Sequence, residues 1–203
     1  MHPGTAGDYY KRLCQGAGAG AKARTQEATR LLELTEEIML NNEGGALTLI
    51  DEETWRARFS GWLITGCAIC LVDEMCTLEK VALLNRIHPA PGTFSRTQPV
   101  NNGERGLASL GYEGYTFDDL GPIIHKVSGD GLTVVNITTP GHRLHPGYVK
   151  RMVFMRGNSI YIRTIGEGVG AMPRANENLA ETLWNGLVNA HIRYRINLQH
   201  RTR

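Results

Sequence analysis

The sequence predicts an α+β domain: N-terminal helices, then a small antiparallel sheet of about three to four strands, then a C-terminal helix. Three observations predict it. Apolar residues recur at helical spacing over much of the chain up to about residue 90. From Leu132 to Ile165 the pattern turns β-branched and alternating, with a turn signal at Arg156-Gly157-Asn158-Ser159. From Glu177 to about Leu198 helical spacing returns, with Leu179, Leu183, Trp184, Leu187, Val188 and Ile192 on one side.

The elements follow in chain order. Residues 1–23 contain "QGAGAGAKA" and read as a flexible segment or a domain edge. Residues 24–203 read as one domain, with a helical part (24–90), a loop-rich part (91–131) and a sheet plus helix (132–203). Leu31, Leu34 and Ile38 predict a helix over Arg24 to Asn41, stopped by Gly44-Gly45. A second helix, or a pair broken near Gly61 and Gly66, is expected from Asp51 to Ile87. Asp51, Glu52 and Glu53 sit in its first turn, where the helix dipole favours negative charge. Pro89 and Pro91 end it, because proline cannot donate to the helical ladder. Residues 91–131 are rich in Gly, Asn, Thr and Pro and are expected to be ordered loop with short elements. "LTVVNIT", "YVKRMVFM" and "SIYIRTI" then predict three strands of an antiparallel meander.

Met1 is followed by His2-Pro3-Gly4, which does not resemble a secretory signal. The longest apolar run, "GWLITGCAICLV", has twelve residues, against roughly 20 needed to span a bilayer. It is expected to be a buried helix, with membrane insertion a minor alternative. Cys67 and Cys70 have CxxC spacing, but a zinc site needs a second ligand pair. They are expected to be buried thiols on that helix, without a metal and without a disulfide between them.

Net charge is +2 but unevenly distributed: residues 141–203 carry +7 and residues 1–140 carry −5. A split of that size suits an anionic partner such as RNA; neutralisation of one half by the other is the equal alternative.

The stretch "TTPGHRLHPGYVKR" holds His142 and His145 in a turn made by Pro140, Gly141, Pro146 and Gly147. Two imidazoles in one cleft can act as base and acid, and a nearby cation can stabilise the charge on a phosphorane. On this reading His142, His145 and Arg151 are the catalytic set, with Lys150, Arg163, Thr164, Glu167 and Asn176 contacting substrate. The alternative is a stiff loop whose histidines bond the backbone. A metal held by His142, His145 and His125 or Glu167 is a minor reading, and no cofactor is expected. Gly166, Gly168 and Gly170 form a G-x-G-x-G run expected to be a turn. Templates for a nucleophile elbow, a Walker A loop and a zinc deaminase are not met.

The run from Asn136 through Trp184 resembles a C-terminal module of bacterial polymorphic toxins and secretion-system effectors. An H-x-L-x-P-G-x-V-x-R element precedes a G-x-G-x-G turn and an Asn-containing helix in that module. The matching positions are His142, Leu144, Pro146, Gly147, Val149, Arg151, Gly166, Gly168, Gly170 and Asn176. The resemblance covers less than a third of the chain. It implies delivery into a target cell and a cognate immunity protein, and leaves the reaction open. The leading expectation is a toxin-like effector domain, a metal-independent ribonuclease. The alternatives are a membrane-active or protein-binding toxin domain, and a phage or secretion structural protein.

Overall fold

A computed structural model describes residues 59–112, 115–169 and 173–201. The helix expected over Arg24 to Asn41 and the flexible segment before it lie outside the described residues, as does the start of the second expected helix. The described elements are β1 (Phe59–Thr65), β2 (Cys70–Leu71), α1 (Leu78–Ile87), β3 (Arg105–Tyr112), β4 (Tyr115–Val127), β5 (Thr133–Thr138), β6 (Gly147–Arg156), β7 (Ser159–Val169), α2 (Pro173–Glu181), a π-helical stretch (Thr182–Asn189) and α3 (Ala190–Arg201). The strands form one seven-stranded antiparallel sheet in the order β1-β7-β6-β5-β4-β3, with β2 also paired to β7.

This corrects the expected fold class. The sheet is the main body of the described chain, not a small one that follows a block of helices. Two segments account for the difference. "FSGWLIT", expected to be helical, is strand β1 and pairs with β7 over seven positions from Phe59↔Val169 to Thr65↔Arg163. A short apolar run bounded by glycines has no periodicity that tells helix from strand, so the partner decides. Residues 91–131, expected to be mostly loop, supply β3 and β4. Their register shifts between Ala108 and Ser109 and again between Leu110 and Gly111. Such bulges break the two-residue alternation that marks a strand in sequence.

Other elements are locally encoded. Thr77 caps α1, its hydroxyl accepting from Lys80 N at 3.3 Å. Glu79 in the first turn and Arg86 in the last complement the helix dipole. The meander β5-β6-β7 runs over Leu132 to Ile165 and beyond. Gly157 takes φ 60° in the hairpin between β6 and β7, a left-handed conformation open to glycine. The helical run from Pro173 to Arg201 buries Ala180, Trp184, Val188, Ile192 and Ile196 at four-residue spacing.

Directly paired strand residues share a sheet face. Val153, Ile160 and Ile162 therefore lie on one face, the inner one. They pack there with Val81, Ala82 and Leu84 of α1 and Ile192 and Ile196 of α3.

The cysteines need a second correction. Cys70 lies in β2, not on a helix, and forms a disulfide with Cys76; Cys67 is also disulfide-bonded. Cys67 and Cys70 are thus not paired with each other, but neither is a free thiol. Asp73 makes the turn that allows the link, accepting from Met75 N and Cys76 N at 2.7 Å each. The Cα atoms of Cys70 and Cys76 lie 6.2 Å apart, within disulfide range. Closing so short a loop contributes about 2 kcal/mol in the chain-entropy picture.

Candidate functional site

The loop from Thr139 to Pro146 joins β5 to β6 and is tied down by backbone bonds. Thr139 N donates to Pro122 O, Arg143 N to Leu120 O, and His145 N to His142 O, at 2.9–3.1 Å. The peptide bond between His145 and Pro146 is cis. Two glycines let the loop sit so close. A Cβ on Gly121, whose φ is 121°, would lie 2.5 Å from His142 Cα. A Cβ on Gly147 would lie 2.6 Å from Leu144 O. Neither is tolerable for any other residue.

Both histidine rings are bonded to backbone of their own neighbourhood. His142 Nδ1 accepts from Leu144 N at 3.0 Å, so the neutral ring carries its proton on Nε2. His142 is 9% exposed; burial, with His145 nearby, pushes its pKa down to about 4. His145 Nδ1 lies 3.1 Å from Thr138 O, and since a carbonyl only accepts, that nitrogen is the donor.

Arg151 does not join them. It is fully buried on the inner face and donates to His88 O at 2.7 Å and Asn189 Oδ1 at 2.6 Å. Its guanidinium carbon lies 5.4 Å from the centre of the Trp184 ring. Thr164 is its cross-strand partner and is also fully buried. Lys150, Arg163 and Glu167 occupy the alternate positions of β6 and β7, so they face the other side of the sheet. Arg163 stacks over Phe154 at 5.1 Å. Glu167 is opposite Tyr148; burial pushes its carboxyl up to about 7, and the Tyr148 hydroxyl pulls the other way. Asn176 lies in α2, whose following residue Glu177 accepts from Gly61 N at 3.4 Å. The predicted set is therefore divided: two histidines in the loop, Arg151 and Thr164 on the inner face, Lys150, Arg163 and Glu167 on the outer.

His125 is not near a ligand role with the loop histidines. Its Nδ1 bonds Asn136 Oδ1 at 2.7 Å, and Asn136 Nδ2 donates to Pro89 O at 2.7 Å. Among the described residues no three His, Cys, Asp or Glu side chains come together as a metal site. Nor is any described helix long and apolar enough to cross a membrane.

The G-x-G-x-G run is not a turn as far as Val169: Gly166 and Gly168 are within β7. At two-residue spacing both are on the inner face, opposite Val149 and Gly147. Both line a cleft of about 130 Å³ between sheet and helix. Its floor includes Val149, Gly166 and Gly168; Leu179, Ala180, Leu183 and Trp184 cover it; His142 and Leu144 of the loop form a wall. Gly168 also lets the loop approach the strand, since a Cβ there would lie 3.0 Å from Leu144 O. Asn189, the partner of Arg151, had no signal in the sequence.

The π-helical stretch explains the pairing of Trp184 with Asn189. An α-helix would set residues five apart roughly 140° from each other. Hydrogen bonding of the i→i+5 type brings them onto one side. Both then reach Arg151.

No protein-family model matches the sequence, and no curated protein matches it. Among solved structures, the chain is similar to one described as the crystal structure of Ara h 8.0201, at 10% sequence identity and a TM-score of 0.40. The match covers 68% of this chain and 96% of that one. A likeness so distant does not bear on ligand or activity.

Proposed function

We propose that this domain is a binding module for a small apolar molecule, held in the cleft between the sheet and the C-terminal helix. The observation that carries this reading is the cleft itself, with Val149, Gly166 and Gly168 beneath Leu179, Leu183 and Trp184. An apolar recess with a few polar groups on its wall is the usual form of a small-molecule site. The volume of about 130 Å³ suits a ligand near the size of a substituted benzene.

A ribonuclease needs base, acid and cation around one phosphate. His142 lines the cleft, but its Nδ1 is engaged by Leu144 N, and the Arg151 cation is bonded to His88 and Asn189. The binding reading asks for no such rearrangement. The disulfide between Cys70 and Cys76 supports work in an oxidising compartment, since such bonds rarely persist in a reducing cytoplasm. Export or delivery to a target cell, with an immunity protein as partner, is the matching proposal for location.

The test is thermal unfolding of the purified chain with toluene and related small aromatics. A bound compound raises Tm in proportion to its occupancy. Leu179→Trp at the half-exposed edge of the cleft and Val149→Phe on its floor should each abolish the shift. No shift with any such compound, or equal shifts in both variants, would reject the reading.

A further inference from the structure

Arg151 is a buried cation whose contacts among the described residues are all neutral. The charge faces a carbonyl, an amide oxygen and an aromatic ring. No carboxylate of the described residues pairs with it. Burying an unpaired charge is strongly unfavourable, and proteins seldom leave one without an anion.

Its neighbours repeat the pattern. Arg151 Nε, Thr164 Oγ1 and Asn189 Nδ2 are all buried and have no hydrogen-bond partner among the described residues. Thr164 is directly opposite Arg151 in the sheet, and the Asn189 amide is already bonded to the guanidinium. The cation thus has one unused donor of its own and two more beside it, on Thr164 and Asn189. Arg151 and Thr164 also form the next same-face pair along β6 and β7 from Val149 and Gly166, the cleft floor. That step is about 7 Å along the strands. Trp184 lines the cleft, and the Arg151 guanidinium lies over its ring.

We infer that the cleft takes an apolar carboxylic acid, with its hydrocarbon over Gly166 and its carboxylate on Arg151, Thr164 and Asn189. The inference rests on the cleft-binding reading and names its ligand class. The carboxylate accepts from Arg151 Nε, Thr164 Oγ1 and Asn189 Nδ2, so the three donors gain a partner and the cation a counter-charge. No space as large as a water molecule adjoins these atoms, so the Trp184 ring shifts when the acid binds.

Benzoate and toluene share a ring and differ in the carboxylate, so ligand-observed NMR titration of the full chain with each tests the idea. The wild type should bind benzoate at least about tenfold more tightly than toluene, the scale of a charged hydrogen bond. Thr164→Val, which keeps the shape of the side chain, should reduce benzoate affinity several-fold and leave toluene unchanged. Arg151→Met should remove the preference. Equal affinity for the two ligands overturns the carboxylate assignment and leaves the cleft reading standing. A benzoate preference that survives both variants overturns the assignment to Arg151. Binding of neither ligand overturns the cleft reading, and this inference with it.

Discussion

Two halves of the same strand pair behave in opposite ways. Toward the Gly157 hairpin, Val153, Ile160 and Ile162 of β6 and β7 are packed against α1 and α3. Toward the other end, the same inner face carries Val149, Gly166 and Gly168, which line the cleft. Arg151 and Thr164 stand between them. One backbone register thus serves a dry core and a recess, and the side chains alone decide which. Close packing stabilises the first half. The second half has a smaller cluster of Ile64, Ala180, Trp184 and Val188, with Val149 against it beside the cleft, and the 139–146 loop adds backbone bonds.

The comparison is sharpest in core truncations. Ile162→Ala should destabilise by about 2–5 kcal/mol, because the hole it leaves is enclosed. Val149→Ala, on the floor of an existing cleft, should cost about 1 kcal/mol. Urea unfolding of both variants checks this, and equal losses would mean that the cleft half is packed like the core.

Next in size is the polar boundary. Asn189→Leu removes the acceptor for the Arg151 guanidinium and should destabilise by about 2–3 kcal/mol. Adding Arg151→Met to it should restore part of the loss, since an apolar pair has no charge left unpaired. A double variant as unstable as the sum of the singles would break the argument that the two act together.

The histidines and Glu167 give a pH-dependent contrast. Burial pushes His88 and His142 down to about 4, below the usual value of 6.5. In the window between, the unfolded chain binds the proton more tightly. Their stabilisation is full above about pH 6.5 and is lost as pH falls toward 4, on the order of 3 kcal/mol for each ring. Glu167 has the opposite sign. Its carboxyl is pushed up to about 7 from 4.5, so the stability it contributes is present below pH 4.5 and lost as pH rises through 7. Glu167→Gln should therefore stabilise at pH 8 and have little effect at pH 4, and His142→Gln should flatten the acid limb. Urea midpoints across pH 4–8 read both, and an unchanged profile in either variant would refute its burial as the cause.

The smallest effect belongs to the loop. His145→Ala loses the bond to Thr138 O, worth about 1 kcal/mol or a Tm drop of roughly 2–4 °C. RNA incubated with wild type and variant should show no difference. Cleavage by the wild type that falls 10²- to 10⁴-fold in the variant at unchanged Tm, the range of a general acid or base, would instead favour the ribonuclease reading.

The features legible in the sequence are those set by neighbours along the chain. The meander, its Gly157 turn, the end of α1 before Pro89 and the C-terminal helix each depend on a few adjacent residues. Tertiary structure decided what depends on distant pairing. "FSGWLIT" became a strand because β7, about a hundred residues later, offered its edge. The Cys70–Cys76 link follows from the same correction, since β2 replaced a helix.

The loop histidines were visible as residues, but their roles were not. Their position and the glycines around them are written locally; which ring nitrogen meets which backbone group is set by Thr138 and Leu144 in space. Arg151, Lys150 and Arg163 looked like one basic patch because sequence proximity hides the alternation of a strand. Once register pairs Arg151 with Thr164, Lys150 and Arg163 must face the other way, and the guanidinium is buried beside Asn189. The sequence by itself determined where chemistry-bearing residues cluster along the chain. The tertiary structure decided which face each one occupies, because a side chain's face depends on sheet register and register depends on partners far away.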